Sequence, residues 1–81
     1  MMTQRSTWYE VWSKRGYCKL ADPYDRFNNQ REAKSAIKES VKRQKELGYT
    51  PTEWLLMIVD MITTIDDDGV IISQMTTTAR A

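Results

Sequence analysis

The sequence contains no histidine and only one cysteine, Cys18, among its 81 residues. Histidine is the most common acid–base residue in catalysis, so its absence removes the usual proton donor and acceptor. One cysteine cannot form an internal disulfide, and without histidine it cannot complete a zinc site of the nitrogen–sulfur type. These absences predict a protein with no catalytic residues, no metal and no cofactor, and therefore not an enzyme.

Glycine is also scarce, and each of the three glycines coincides with a predicted turn or helix end: Gly16, Gly48 and Gly69. None remains for a glycine-rich loop around a phosphate. The acidic run 66–68 before Gly69 resembles part of a calcium-binding loop. A threonine two positions before that run, and the lack of a glutamate at the required distance after it, do not fit such a loop. We interpret 66–69 as a tight turn.

Long hydrophobic runs are missing. The longest run covers residues 54–59, and Asp60 separates it from two further apolar residues at 61–62. A run of this length is too short to cross a bilayer. Residues 1–6 have no apolar stretch typical of a signal peptide. A lone cysteine fits a reducing compartment. The sequence predicts no membrane association and a cytoplasmic location.

The net charge is +1, but it is unevenly distributed along the chain. Residues 1–50 contain eleven Lys or Arg against six acids, whereas residues 51–81 contain one Arg against five acids. This asymmetry fits a two-sided surface with a basic side, and it fits mutual neutralisation of the two halves equally well. Hydrophobic and charged contents of 41% and 28% predict one folded domain over residues 1–81.

The segment from Asn29 to Gly48 predicts a helix. Asn29 can cap the first turn with Glu32 completing a capping box, and Gly48 fits the left-handed position that ends a helix. The apolar face carries Ala33, Ala36, Ile37, Val41 and Leu47. Five cations, here called the basic line, lie on the other side within about 80° of arc. They are Arg31, Lys34, Lys38, Lys42 and Lys45.

Before the helix, aromatic and β-branched residues predict a strand at 7–14. A turn at Arg15-Gly16 would return the chain as a second strand at 17–21. Residues 22–25, with their proline, break the pattern and predict a loop.

After the helix, the segment 53–65 is rich in β-branched residues and predicts a strand. The alternative is a second helix, because residues 50–53 have the Thr-Pro-x-Glu pattern of a helix start. The turn 66–69 leads to a strand at 70–77, and residues 1–6 and 78–81 are expected to fray. The predicted fold is α+β, with the element order β-β-α-β-β. It is a four-stranded antiparallel sheet in the order 2-1-3-4, with the helix on one face.

Alternation along the first strand separates two faces. One face carries Trp8, Glu10, Trp12 and Lys14, and the other carries Tyr9, Val11 and Ser13. If Val11, Cys18 and Leu20 meet the helix, the face turned away from it carries Trp8, Trp12, Tyr17, Lys14 and Lys19. Trp54, Leu56 and Ile58 join that face in one of the possible registers. Such a surface could bind a protein or stack on bases, and the alternative is a second small core or a homodimer contact. An interface is favoured over self-packing, because 81 residues cannot bury two full sheet faces.

The layout resembles the small accessory proteins that bacteriophages and other mobile elements encode. The likeness rests on an aromatic opening strand (Trp-Tyr-Glu-Val-Trp at 8–12), on residues 27–33 leading into a charged helix, and on a closing hairpin that turns at Asp68-Gly69. Proteins of that kind often inhibit host defence or nucleic-acid enzymes by occupying a surface. The resemblance implies a binding role without catalysis, in the host cytoplasm.

Three functional hypotheses follow from these features. The first is a non-enzymatic protein that binds and inhibits or modulates a host protein, with the basic line steering an acidic partner. The second is nucleic-acid binding through the same side chains, against which the near-zero net charge weighs. The third is a structural subunit or self-assembling dimer. The candidate partner-binding residues are Trp8, Trp12, Tyr17, Lys19, Arg31, Lys34, Lys38, Lys42, Lys45 and Trp54. The basic line could also be the solvated face that any helix lying on a sheet presents to water.

Overall fold

The computed structural model describes residues 1–15, 20 and 26–81. It contains three strands and one helix in these residues, an α+β arrangement. Strand β1 comprises Met2–Ser13, helix α1 comprises Gln30–Glu46, strand β2 comprises Trp54–Ile65 and strand β3 comprises Ile71–Arg80. No helix in the described part of the chain is long and apolar enough to span a membrane.

The sheet is antiparallel and its strand order is β1-β2-β3. The register of the first pair runs from Met2 opposite Ile65 to Ser13 opposite Trp54. The predicted four-stranded sheet in the order 2-1-3-4 is therefore wrong, because the described residues form three strands. The strand after the helix, β2, lies between β1 and β3, and these two neighbours are the ones predicted for it.

The difference lies at the outer edge of β1, where the predicted strand 17–21 was expected to pair. Phe27 occupies that edge at Tyr9: each backbone N–H donates to the other residue's carbonyl oxygen, at 2.9 and 2.8 Å. Leu20 donates its N–H to the Val11 carbonyl at 2.8 Å but belongs to no strand. The rest of that prediction lies outside the described residues, namely Gly16, Tyr17, Cys18, Lys19, Ala21 and the loop 22–25.

Local sequence caps both helix ends at the predicted residues, but of the predicted capping box only the bond to the Asn29 side chain is formed in the described part of the chain. Asn29 has an extended backbone, and its side-chain oxygen accepts the Glu32 N–H at 2.9 Å. At the other end Gly48 has φ +81°, and its N–H donates to the Lys45 carbonyl. The Tyr49 N–H then reaches back to the Gln44 carbonyl at 2.9 Å. This pair of bonds is the Schellman motif, which satisfies carbonyls that the helix itself leaves unpaired.

The segment after the helix is a strand, so the alternative of a second helix is wrong. The strands are longer than predicted at the ends that were expected to fray, since residues 2–6 and 78–80 lie in paired strands. Single-residue propensity does not capture this, because cross-strand partners hold those residues.

The core lies under the helix at one end of the sheet. Val11, Phe27 and Ala33 form its buried cluster, with partly buried side chains packed around it: Tyr9, Leu20, Ala36, Ile37, Trp54 and Leu56. The helix contacts β1 and β2 but not β3. Because these contacts involve residues 9–11 and 54–56 of the strands, the sheet continues well beyond its helical cover.

We call the part of the sheet beyond the helix the free end, comprising residues 2–7, 60–65 and 71–77. Every residue of 2–7 and of 71–77 is exposed. The radius of gyration, 16.1 Å, exceeds the value of about 12 Å for a compact domain of this length. The molecule measures 56 × 21 × 19 Å. It is elongated, with the buried cluster under the helix at one end; Trp8 and Val59, which pair across β1 and β2, are buried on the opposite face.

Candidate functional site

Trp8, Glu10 and Trp12 lie on the sheet face turned away from the helix, as the alternation predicted. The Glu10 carboxylate accepts one hydrogen bond from each indole: Trp8 Nε1 donates to Oε2 at 2.8 Å and Trp12 Nε1 donates to Oε1 at 3.0 Å. A carboxylate suits this position because it accepts at both oxygens. The three side chains form one hydrogen-bonded row that fixes the orientation of both rings.

Trp8 is nearly buried, with only 9% of its surface exposed. The guanidinium carbon of Arg26 lies 4.3 Å from the centroid of the Trp8 ring, a cation–π contact. Trp8 therefore offers little surface to a partner, so the partner-binding role predicted for it has little area to act through. Sequence reasoning missed Arg26, since no periodic spacing relates this residue to β1.

Trp12 is half-buried and stands at the centre of what we call the open face. It lies opposite Leu55 in the register of β1 and β2. Met57 is the next residue of β2 on this side, opposite Glu10, and all three apolar side chains keep part of their surface in solvent. A shallow depression runs between them and reaches β3. Ser13 and Lys14 also line the depression, and the open face is defined as Glu10, Trp12, Leu55, Met57 and Thr78.

Trp54, also predicted as a partner-binding residue, lies on the opposite side of the sheet. It faces Ser13 in the register and packs against the core beneath the helix. Its Nε1 is buried and has no hydrogen-bond partner in the described part of the chain. The register thus assigns Trp54 to the helix side together with Leu56, and it does not join Trp12.

The basic line is exposed along its whole length. It faces away from the sheet, because Ala33, Ala36 and Ile37 supply the packed side of the helix. Within residues 1–15, 20 and 26–81, no ion pair involves its five members, whereas the neighbouring Arg43 lies 3.9 Å from Glu39. The basic line and the open face are on opposite sides of the molecule, so one flat partner surface cannot contact both.

Two of the predicted partner-binding residues, Tyr17 and Lys19, lie outside the described residues. No group of three or more acidic, cysteine or histidine side chains that could hold a metal ion is present in the described ranges. The acidic run 66–68 forms a turn, in which Asp66 Oδ1 accepts the N–H groups of Asp68 and Val70, both at 2.9 Å. That carboxylate organises the backbone of the turn.

The outer strand β3 is a surface that the sequence interpretation missed. All ten of its residues are exposed. A signal for it exists in the sequence, because residues 69–79 are the longest stretch without a charged residue. The prediction treated part of this stretch as a frayed end and so did not consider it as a surface.

Comparisons with protein-family models, with curated proteins and with solved structures find no significant match to this chain.

Proposed function

We propose that this chain is a non-catalytic protein that binds another protein through the open face. The observation that carries the proposal is the set of half-buried apolar side chains around Trp12, with Leu55 and Met57 beside it, which together line a shallow depression. Tryptophan is among the residues that most often dominate the energy of protein interfaces. A central tryptophan with apolar neighbours and a polar rim is the usual anatomy of such a contact.

The hydrogen bond to Glu10 strengthens this argument. Binding loses free energy whenever a mobile side chain must be ordered, by about 0.5–1.5 kcal/mol for each such side chain. The Trp12 indole already donates to Glu10 Oε1 at 3.0 Å. A partner that packs on this ring meets an anchor held in place beforehand, so less of the contact energy is lost to ordering.

The basic line supports the proposal by a different physical route. Because it lies on the side opposite the open face, it acts through its long-range field and not through direct contact at the same interface. Five exposed cations raise the rate of encounter with an acidic partner and orient the approach. The resemblance to phage accessory proteins would make the partner a host protein in the cytoplasm, inhibited stoichiometrically by occupation of its surface.

The direct test compares the wild-type chain with Trp12→Ala, both immobilised and exposed to a bacterial lysate. The matched control is Tyr49→Ala, whose side chain is 67% exposed and lies just after the helix. A protein retained by the wild type and by Tyr49→Ala but lost with Trp12→Ala would then be purified and titrated. We expect Trp12→Ala to bind it at least ~30-fold more weakly. Equal recovery of every protein by all three forms, with unchanged circular dichroism, would contradict the proposal.

Nucleic-acid binding is the second candidate, and the observation that favours it is the exposed basic line, which forms no ion pair with the described residues. The line extends over about 21 Å, long enough to follow several phosphates. Fluorescence anisotropy with labelled single- and double-stranded oligonucleotides at ~50 mM salt tests it, because phosphate contacts are strongest at low salt. Charge reversal at Lys34, Lys38 and Lys42 should abolish any binding seen. Absence of binding by the wild type at this salt concentration eliminates the candidate.

A further inference from the structure

The two edges of the sheet differ in how far they are covered. The edge of β1 is occupied at Tyr9 by Phe27, and the Val11 carbonyl accepts from Leu20. The rest of that edge, residues 2–7, carries the charged residue Arg5. The edge of β3 is unpaired over its full length in the described structure, since β2 is its only neighbour in the sheet. The edge of β3 is therefore the longer of the two stretches without a partner in the described residues, and residues 71–79 of it carry no charge.

The direction of the backbone groups along β3 follows from one bond. The Ala81 N–H donates to the Leu56 carbonyl at 3.0 Å, so the backbone N–H and C=O groups of Ala81 point towards β2. In an antiparallel ladder, alternate residues point towards the same neighbour. The backbone N–H and C=O groups of residues 73, 75, 77 and 79 therefore also point towards β2. The N–H and C=O groups of Gln74, Thr76 and Thr78 point outwards from the sheet.

This edge lacks the features with which sheet proteins prevent unwanted pairing. Natural edges are shortened, bulged, charged or interrupted by proline. Residues 69–79 contain no charge and no proline, and the one irregularity of β3 lies at its start, opposite Thr64 and Ile65. Exposed apolar side chains lie along the first half of β3 and next to it. Val70, Ile71, Ile72 and Met75 are 55–69% exposed, and Ile62 of the neighbouring strand is 42% exposed.

We propose that the outward edge of β3 pairs with β3 of a second copy of this chain, antiparallel and about a two-fold axis close to Thr76, giving a continuous six-stranded sheet. Two copies can exchange backbone hydrogen bonds only where residues whose N–H and C=O groups point outwards lie opposite each other. Thr76 then faces itself, and Gln74 faces Thr78 of the second copy. Threonine pairs of this kind are favourable cross-strand neighbours.

Charge distribution argues for a second copy and for the antiparallel direction. The only charged residue of β3 is Arg80. With Thr76 at the axis, the two Arg80 residues lie about 27 Å apart along the strands. A parallel pair would place them about 5 Å apart, where like charges repel. Residues 71–79 carry no charge, so this stretch is complementary to itself, and it has no charged group that would select a charged foreign strand.

Symmetry also determines where the helices lie. A two-fold axis between antiparallel strands is perpendicular to the sheet, so both helices cover the same face of the combined sheet, at opposite ends. Each free end then lies beside the covered end of the other copy. The exposed side chains of Ile62 and Met75, which face each other across β2 and β3, approach the axis from both copies.

The test measures mass by sedimentation equilibrium between ~1 and ~500 μM. The wild type should reach twice 9.5 kDa. Thr76→Pro removes an outward N–H that makes no bond to β2, and edge positions of this type tolerate proline. It should keep its circular dichroism spectrum and weaken self-association at least ~10-fold. Thr76→Val keeps the N–H and loses only the hydroxyl of the Thr76 pair, so it should weaken self-association much less than Thr76→Pro. Thr77→Pro removes an N–H that points to β2 and should unfold the hairpin.

Three results would overturn the pairing. The first is a monomeric wild type at the highest concentration. The second is a dimer whose stability Thr76→Pro does not change. If the open face were the contact in that dimer, Trp12→Ala would dissociate it. The third is a foreign protein captured by the monomeric wild type and lost with Thr76→Pro. The proposal does not depend on the binding function assigned to the open face, because Trp12→Ala leaves the edge of β3 intact and Thr76→Pro leaves Trp12 in place.

Discussion

Tyr9 and Phe27 are joined by two reciprocal backbone hydrogen bonds, of 2.9 and 2.8 Å, across the outer edge of β1. This bridge brings the Phe27 ring into the core beside Val11 and Ala33. The helix begins three residues later, at Gln30. The bridge thus fixes the point from which the helix crosses the sheet, and it closes the edge of β1 over the core.

Replacement of Phe27 should test how much of the stability resides in this small core. Phe27 is 8% exposed, and its truncation to alanine leaves a cavity beside Val11. We expect Phe27→Ala to lower the free energy of unfolding by about 3–5 kcal/mol, enough to unfold a chain of marginal stability. Urea titration followed by circular dichroism measures it. Leu47→Ala, at a position 65% exposed, should change the stability by less than ~0.5 kcal/mol.

Substitution of Glu10 by glutamine should test the row of Trp8, Glu10 and Trp12. An amide has one oxygen acceptor, and its nitrogen is a donor. One of the two indole N–H groups would therefore face another donor in a site where Trp8 is nearly buried. We expect Glu10→Gln to lower the free energy of unfolding by about 1–3 kcal/mol despite its unchanged shape. Glu53→Gln, which alters only an exposed ion pair to Lys14, is the control and should have almost no effect.

The turn between β2 and β3 offers a test of backbone strain alone. Gly69 has φ +80°, and a Cβ placed on it would meet no atom within 4 Å. Any loss of stability on substitution therefore comes from the left-handed backbone and not from a clash. We expect Gly69→Val to lose about 1–2 kcal/mol of unfolding free energy and Gly69→Asn to lose less, since asparagine tolerates this conformation. Equal losses for both in urea titrations would refute the backbone explanation.

The helix cap can be tested with two adjacent asparagines. Asn29 Oδ1 accepts the Glu32 N–H at 2.9 Å, whereas Asn28 is exposed and precedes the cap. We expect Asn29→Ala to lower the free energy of unfolding by about 1 kcal/mol and Asn28→Ala to leave it nearly unchanged. Thermal unfolding of the two variants side by side would show the difference as a lower melting temperature for the first. A similar drop in both would mean that the cap is not the source.

The helix was predictable because its signals are local. Asn29, Glu32 and Gly48 act within one turn of the residues they cap, and the spacing of Ala33, Ala36 and Ile37 defines the packed side. The identity of β2 was also predictable from its β-branched residues, once the hairpin turn before β3 was recognised. The number of strands was not, because Phe27 pairs with Tyr9 across a distance in sequence that no periodicity reports.

The candidate site was predictable only in part, for a similar reason. Alternation along one strand placed Trp8 and Trp12 on the same face, since side chains of a strand alternate by geometry alone. The face of Trp54 depends on the register between β1 and β2, and a shift by one residue would reverse it. The contact between Trp8 and Arg26 comes from a separate segment of the chain, so it could not be predicted from the strand alone. The edge of β3 could have been identified from its uncharged stretch, had its end not been assumed to fray.

The register of the sheet also has a consequence for the order in which the chain folds. β2 and β3 are joined by residues 66–70 alone, so this hairpin can close within microseconds. β1 must find β2 across the whole intervening chain, because Ser13 pairs with Trp54 and Met2 with Ile65. Closing so long a loop is entropically slower. Substitutions in the Asp66–Gly69 turn should therefore slow folding, whereas those at Phe27 should mainly accelerate unfolding.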